Sequence, residues 1–470
     1  MPSVTDFGLW YNVSGFQYNG IMTTILNASL IRLMTALIPV KRVRVRVRRR
    51  LLDRARDART ARLVPIVRAR YAAHEQRCRD KLARGGRLRV AFLVCDASMF
   101  SGESVYLRMR DDPRFDCFIA VAPRVTRGVD FLKMTLAKTL EVLSARYGDA
   151  VRSLYDEVTG KGRPLEADLV YSTVLYEDQT LPDYTTERLS RQALVAVLYY
   201  GYGGLFVSNE RKTPFLPNIV LAWRYFVSNA ATHGMMVAKN PLLAGNTVVS
   251  GYCKMDRLAG LERPQGKVGR RKKVVVCPHH SIDREADGLA LSTFLKNADL
   301  LLRLPGLFPE IDFVFRPHPL LFVRLATSRW WGAEKTAAYV AKMEAHPNVE
   351  FQRGGDYFAA FAASDALIHD CGSFLAEYFY TGRPQCYLLA DEKTVEEQFL
   401  PFSRRLLEHA VRALTEKDVL AFLRRVVLAG EDPDAAARNA FAAQEVCVHY
   451  PHATACVLAS SLRGIEKGVL

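Results

Sequence analysis

From residue 88 onward, short apolar runs alternate with stretches whose apolar positions recur at helical spacing. Residues 88–95, 115–122, 169–172 and 193–199 read as buried strands, with helical patterns at 130–147 and 186–193 between them. A polar stretch rich in Pro, Gly and Arg (260–273) then interrupts the pattern, as an interdomain linker does. The pattern restarts with strands at 273–277, 311–315, 348–351, 365–369 and 385–389 and helices at 289–303, 333–345, 356–363 and 373–381. Residues 394–429 and 432–462 read as helices, the last reaching back to the first domain. Strands alternating with helices predict parallel sheets covered on both faces, here twice over. The expected organisation is a helical region at 1–84, one Rossmann-like α/β domain at 85–260, a second at 270–415, and closing helices at 416–470.

The polar residues at three strand ends carry the candidate chemistry. The run from Ser364 to Pro384 reads as a strand, a polar turn from His369 to Ser373, and an amphipathic helix from Phe374 to Tyr380 closed by Gly382 and Pro384. Such a turn aims unpaired backbone N–H groups and the positive end of a helix dipole at one spot, which suits a phosphate. Gly372 permits close backbone approach there, and Ser373 can cap the helix or bond a phosphate oxygen. A second strand runs into Arg316-Pro317-His318-Pro319, where the prolines stiffen the loop and fix the direction of Arg316 and His318. A third runs into His279 and His280. Ligands of open parallel sheets bind outside the carboxyl ends of the strands, so three such ends favour a shared anionic site over three unrelated surface histidines. The plain alternative for Ser364–Pro384 is an ordinary strand–turn–helix corner.

These residues resemble those of the CDP-glycerol glycerophosphotransferase family, which builds teichoic-acid and capsule-type polymers. His369, Asp370, Cys371, Gly372 and Ser373 fill the family's C-terminal turn, Glu377 falls at its acid, and Arg383-Pro384 close it. The Arg-Pro-His-Pro run is similar to the second signature, with His318 as its histidine. The resemblance covers roughly residues 85–400 and looks like a diverged capsule or lipopolysaccharide-locus branch. It implies a GT-B-like architecture, two Rossmann-like domains with a cleft between them. It also implies a CDP-activated donor, a saccharide or lipid-linked acceptor, and release of CMP. On this reading Ser373, the 372–374 amides and Arg316 hold the diphosphate with His279, His280 and His369. His318 pairs with the phosphate or shuttles a proton, Asp370 is the alternative base or simply orients His369 or the turn, and Glu377 bonds the donor's ribose or alcohol or simply stabilises its helix. Well-studied members carry His-Gly-Thr-Pro in the N-terminal half. Here the comparable place reads Tyr199-Tyr-Gly-Tyr-Gly-Gly204, which leaves the acceptor's base unassigned.

Charge changes the picture at the amino-terminal end. Of 65 Lys/Arg and 49 Asp/Glu residues, 19 and 4 lie in residues 41–89, so this segment holds +15 of the net +16. It follows a largely apolar stretch, 21–40, whose Asn27 and Arg32 make spanning a bilayer expensive. An amphipathic helix lying on an anionic membrane surface through residues 21–50 is expected, at the cytoplasmic face and peripheral. The alternatives are a helix packed on the protein body, or nucleic-acid binding, which the lack of interleaved aromatics disfavours. The nine cysteines form no C-x-x-C pair, which suits reduced thiols, and no secretory signal is read at the start. No Asp-x-Asp occurs and the histidines are not at zinc-ligand spacing in sequence, so neither metal nor cofactor is expected. The competing functions are a glycosyltransferase using a nucleotide sugar and a non-catalytic membrane scaffold of a polymer-assembly complex.

Overall fold

A computed structural model describes residues 28–126, 128–262, 269–283 and 291–468. Residues 21–27, the start of the expected membrane helix, and part of the expected 260–273 linker lie outside the described residues. The chain divides into two compact units, one up to Val64 and one from Pro65 to Leu470. In the first, helix Ala28–Ala36 is followed by the start of a long helix, Lys41–Ala83. Arg48 Nε donates to Thr35 Oγ1 at 2.8 Å and Arg44 Nε to the Ile38 carbonyl at 2.9 Å, folding the two helices into a hairpin.

The second unit holds two parallel sheets. The first contains β1 (Leu88–Val94), β2 (Phe115–Val121), β3 (Val151–Ser153), β6 (Leu169–Ser172), β7 (Leu194–Leu198), β8 (Arg224–Val227) and β9 (Thr247–Val249), in the order β3-β2-β1-β6-β7-β8-β9; β4 (Tyr155–Asp156) and β5 (Lys161–Gly162) form a small hairpin beside it. The other contains β10 (Lys272–Cys277), β11 (Ile311–Phe315), β12 (Val349–Phe351), β13 (Ala366–His369), β14 (Gln385–Leu388) and β15 (Val411–Ala413), in the order β12-β11-β10-β13-β14-β15. Every pairing within these two sheets is parallel. β7 and β13 are buried at every residue, the pattern of strands covered on both faces. Each sheet reverses its strand order once, between β1 and β6 and between β10 and β13.

Several expected elements differ. Residues 394–429 are not helix throughout: Val411–Ala413 is the edge strand β15, too short to show a period. The helix at 186–193 is the single turn Thr186–Leu189. β3, β8 and β9 also went unread, although the equally short β6, β12, β13 and β14 were read. Tyr171 Oη donates to Ser461 Oγ at 2.7 Å, so the last helix, Ala453–Lys467, packs on the first sheet.

The lobes meet at the carboxyl ends of their strands. Phe206, beyond β7, bridges to Phe399, and the Leu400 N–H donates to the Leu205 carbonyl at 3.0 Å. Tyr202 and Tyr380, one from each lobe, donate to the same Val446 carbonyl at 3.1 and 3.0 Å. Arg257 pairs with both Glu103 and Asp356. One apolar cluster runs across this seam, including Tyr202, Phe206, Tyr252, Leu375, Phe399 and Phe402.

Candidate functional site

β11, β10 and β13 are neighbours, and the order reversal of their sheet lies between β10 and β13. Their carboxyl ends therefore open on one place, the usual ligand position in such sheets. Beyond β10, Pro278 leads to His279 and His280; beyond β11, Pro317 and Pro319 flank His318. The His318 N–H donates to the Pro278 carbonyl at 3.0 Å, tying the loops together. The three rings then converge, with centroids 4.3 Å (His279–His280), 4.1 Å (His280–His318) and 5.4 Å (His279–His318) apart. No zinc-ligand spacing in the sequence marks this cluster. All three side chains are part-buried.

Burial, then the neighbouring rings and Arg324, hold His279 well below the ordinary histidine range; burial, then His280 and Arg324, takes His318 down to about 3. Both rings are neutral at pH 7. His318 Nδ1 accepts the Leu320 N–H at 3.1 Å. His279 Nδ1 lies 2.8 Å from Ser281 Oγ and 3.3 Å from the Ser281 N–H, while that Oγ accepts the Leu291 N–H at 3.1 Å. With Nδ1 accepting in both rings, the proton of each neutral imidazole sits on Nε2. His279 and His318 thus offer Nε2–H donors. The three rings are the one group among the described residues able to gather round a metal ion, with donor atoms within 4.8 Å of one another. Two protonated Nε2 atoms suit an anion better than a cation.

The turn after β13 serves this cluster differently from the sequence expectation. Asp370 is fully buried, and its carboxylate accepts the His279 N–H at 2.6 Å, the Thr293 N–H at 2.5 Å and the Thr293 hydroxyl at 3.0 Å. Burial raises its pKa to about 6 against those donors. With both oxygens occupied it holds the histidine loop, which is the orienting alternative to a base. His369, also fully buried, bonds Gln385 Oε1 through Nε2 at 2.9 Å, and burial lowers it to about 4; it is part of the core and not a phosphate ligand.

The helix after the turn is a single α-turn, Phe374–Glu377, continued by a tighter turn, Tyr378–Thr381, and closed by Gly382 at φ 73°. It is not amphipathic, because Leu375 to Thr381 are all buried. Glu377 accepts the Tyr252 hydroxyl at 3.3 Å and the Tyr357 hydroxyl at 2.5 Å, so its carboxylate binds tyrosines from both sides of the seam. A Cβ added at Gly372 would lie 2.7 Å from Phe206 Cε2, so that part of the tip is covered by an aromatic ring of the other lobe. Ser373 remains part-exposed, with its Oγ 2.8 Å from where a Cβ on Gly201 would sit.

Arg316 is also turned from its expected role. Its guanidinium donates to Gln352 Oε1 at 2.8 Å and to the carbonyls of Gly354 (3.0 Å) and Gly355, and burial lowers its pKa. It fixes the 352–355 loop, so its guanidinium is committed to that loop. Sequence reasoning missed Thr293, Ser281, Gln385 and Tyr252, whose roles are to hold other side chains; no motif marks such residues. It treated Tyr199–Gly204 as a place lacking a histidine. The structure sets that segment against Ser373 and stacks the part-exposed Tyr199 and Tyr200 rings 5.5 Å apart.

No family model and no curated protein matches this sequence. Solved structures do share the fold. A variant of the wall teichoic acid polymerase TagF soaked with CDPG matches at TM-score 0.51 and 12% identity, over 89% of this chain and 99% of that one. TagF itself matches at 0.50 and 13%, over 81% and 89%. The UDP-GlcNAc 2-epimerase of Neisseria meningitidis, bound to UDP-GlcNAc, matches at 0.50 and 12%, over 80% and 100%. The fold is GT-B-like, two Rossmann-like lobes joined at the carboxyl ends of their sheets.

Proposed function

We propose that the protein is a transferase that takes a polyol-phosphate group, of the glycerol-phosphate type, from a CDP-activated donor to a saccharide or lipid-linked acceptor. The observation that carries this reading is the convergence of His279, His280 and His318 beside the Asp370–Ser373 turn at the order reversal of the second sheet. The Nε2–H groups of His279 and His318 and the hydroxyl of Ser373 donate to the diphosphate. The acceptor hydroxyl attacks the β-phosphorus. A new P–O bond forms, the bond to the bridging oxygen breaks, and CMP leaves with the electron pair. Charge collects on the departing phosphate, where fixed donors in a part-buried site stabilise it most. A loose phosphoryl transition state asks little of a base, so the acceptor proton passes to the departing phosphate or to solvent. No residue is assigned as base.

The likeness to a UDP-GlcNAc 2-epimerase at a similar TM-score supports a second reading, an enzyme acting on a UDP-sugar. Both readings need the same diphosphate donors. The test is to incubate the protein with CDP-glycerol, CDP-ribitol and UDP-sugars, with and without saccharide acceptors, and to follow CMP, UDP and sugar isomers. CMP release from a CDP-polyol, lost at least a hundredfold in His318→Ala and His279→Ala, is the expected result. UDP release, or isomerisation of UDP-GlcNAc, would replace it with the second reading. No turnover of any donor would leave a scaffold.

A further inference from the structure

The helical hairpin at the amino-terminal end presents a surface that the donor site does not use. Residues 28–64 contain 12 Lys/Arg and 2 Asp/Glu, so this short segment holds +10 of the chain's +16. Both carboxylates, Asp53 and Asp57, pair with the same Arg56. Arg44 and Arg48 are taken up in folding the hairpin, whereas Arg42, Arg46, Arg49 and Arg50 are exposed. On helix Ala28–Ala36, Ile31 and Thr35 are buried while Leu33 and Met34 are 69% and 51% exposed. The bend adds Leu37 at 87% and Val40 at 57%, and the next helix begins with exposed Val43 and Val45. Six large apolar side chains are thus held out at the tip of the hairpin, directly beside the densest run of arginines.

This is an unusual place to leave apolar surface in water, and its rim of guanidinium groups narrows the choice of partner. A protein groove would meet the apolar tip but leave the arginines without counter-charge, and a nucleic acid would meet the arginines but not the leucines. An anionic bilayer meets both, with headgroup phosphates against the arginines and acyl chains against the tip. We infer that the bend of this hairpin, Leu33 to Val45, inserts into the surface of an anionic membrane, with Arg42, Arg46, Arg49 and Arg50 on the lipid phosphates. The insertion is shallow: helix Ala28–Ala36 has nine residues, about 13 Å at the usual rise, against roughly 30 Å of bilayer hydrocarbon. No described helix is long and apolar enough to cross a membrane.

The inference stands apart from the donor chemistry, and its test separates the two. The full chain is mixed with vesicles of phosphatidylcholine alone or with a quarter phosphatidylglycerol, and the bound fraction is read by flotation. Binding to the anionic vesicles only is expected. It weakens about fivefold per exposed arginine replaced by Gln, a conversion from about 1 kcal/mol per basic residue near such a surface. The R42Q/R46Q/R49Q/R50Q variant thus loses binding by at least a hundredfold. Leu33→Ser with Leu37→Ser, both at exposed positions, lowers it at least tenfold without changing the arginines. Circular dichroism checks that each variant keeps its helix, and nucleotide release measured without vesicles is unchanged. Equal binding to both vesicle types, or binding indifferent to both sets of substitutions, overturns the inference. So does salt-sensitive binding to duplex DNA with no binding to anionic vesicles.

Discussion

Gly372 sits close against the other lobe at the 369–373 turn, and replacing it with Ala is expected to open that contact. An added Cβ meets Phe206 Cε2 at 2.7 Å and Cζ at 3.2 Å, with Leu291 Cδ1 at 3.6 Å. Carbon atoms pack at about 3.5–4.0 Å, so the ring must retreat by most of an ångström. It has little room to do so. Phe206 is nearly buried, its main chain is bridged to Phe399, and its ring stands edge-on to that of Phe399 at 5.1 Å. Overpacking of this kind costs about 1–3 kcal/mol. Phe206→Leu removes the two offending ring atoms and alone costs about 1–2 kcal/mol through the space it leaves. In the double variant the Ala methyl occupies that space, so the two penalties fall short of their sum by 1–3 kcal/mol, a coupling expected of residues in direct contact. Urea unfolding midpoints of the four proteins measure this. Nucleotide release measured alongside should fall at least tenfold in Gly372→Ala and recover in the double variant, because the methyl otherwise displaces the turn that carries Ser373. Additive penalties, or a Gly372→Ala protein as stable and active as the parent, would refute the close seam at the 369–373 turn.

Other outcomes follow from the same geometry. The depressed His279 and His318 rings stay neutral in the folded chain while unfolded ones take up protons, so the stability they confer is present above about pH 6.5 and lost as pH falls toward 3; urea midpoints between pH 7.5 and 5 should fall less in His318→Gln, and equal slopes would count against it. Asp370 has the opposite sign: its raised pKa of about 6 means that ionising it in the fold is unfavourable, so the pH-dependent part of stability falls as pH rises from about 3.8 to 6, while the hydrogen bonds that its carboxylate accepts remain. Asp370→Asn turns an amide N–H toward the Thr293 or His279 N–H and should cost about 2 kcal/mol near neutral pH, with looser binding of donor as its functional sign; unchanged stability would mean the carboxylate does not hold the loop. Arg316→Lys loses the fork that spans Gln352, Gly354 and Gly355, so proteolysis in the 352–355 loop should quicken while KM for donor changes by less than threefold. A tenfold rise in KM with the loop still protected would restore Arg316 as a phosphate ligand.

How much of this was legible depends on the length over which each pattern repeats. The long strands β1, β2, β10 and β11 announced themselves because five to seven residues suffice for a buried run between turn residues. Of the three-residue strands, β12 was read at 348–351 but β3, β9 and β15 were not; pairing with a neighbour does more than their own sequence to make those three strands. At the site, residues that stand in one line with their strand were readable: His279, His280 and His318 leave β10 and β11 through prolines, and their convergence follows once the strands are neighbours. The occupations of Asp370, His369, Glu377 and Arg316 were not readable. Each depends on partners 16 to 125 residues away, such as Gln385 for His369 and Tyr252 for Glu377, which no local spacing encodes.

Those four occupations shift where an anion would rest. A site centred on the amino-terminal tip of the helix after Cys371 needs that tip open and Arg316 aimed at it. Instead Phe206 covers Gly372, the helix is one turn long, and Arg316 is committed to the 352–355 loop. A single turn supplies little dipole, so helix polarity ranks behind side-chain donors here. What stays part-exposed is Ser373 and the three imidazoles. The Asp370 carboxylate still serves that group, because it clamps the His279 main chain and Thr293 to the turn and so fixes the distance between the β10 loop and Ser373. Two neutral rings with protons on Nε2 then receive an anion without first paying for a buried positive charge. In both rings Nδ1 already accepts a backbone N–H, so a second proton has no place to go. Donor binding near pH 7 should therefore take up no proton at these rings, and calorimetry in buffers of different ionisation heat should give one binding heat; a heat that varies with the buffer would mean that a ring becomes charged and that the proton assignment is wrong.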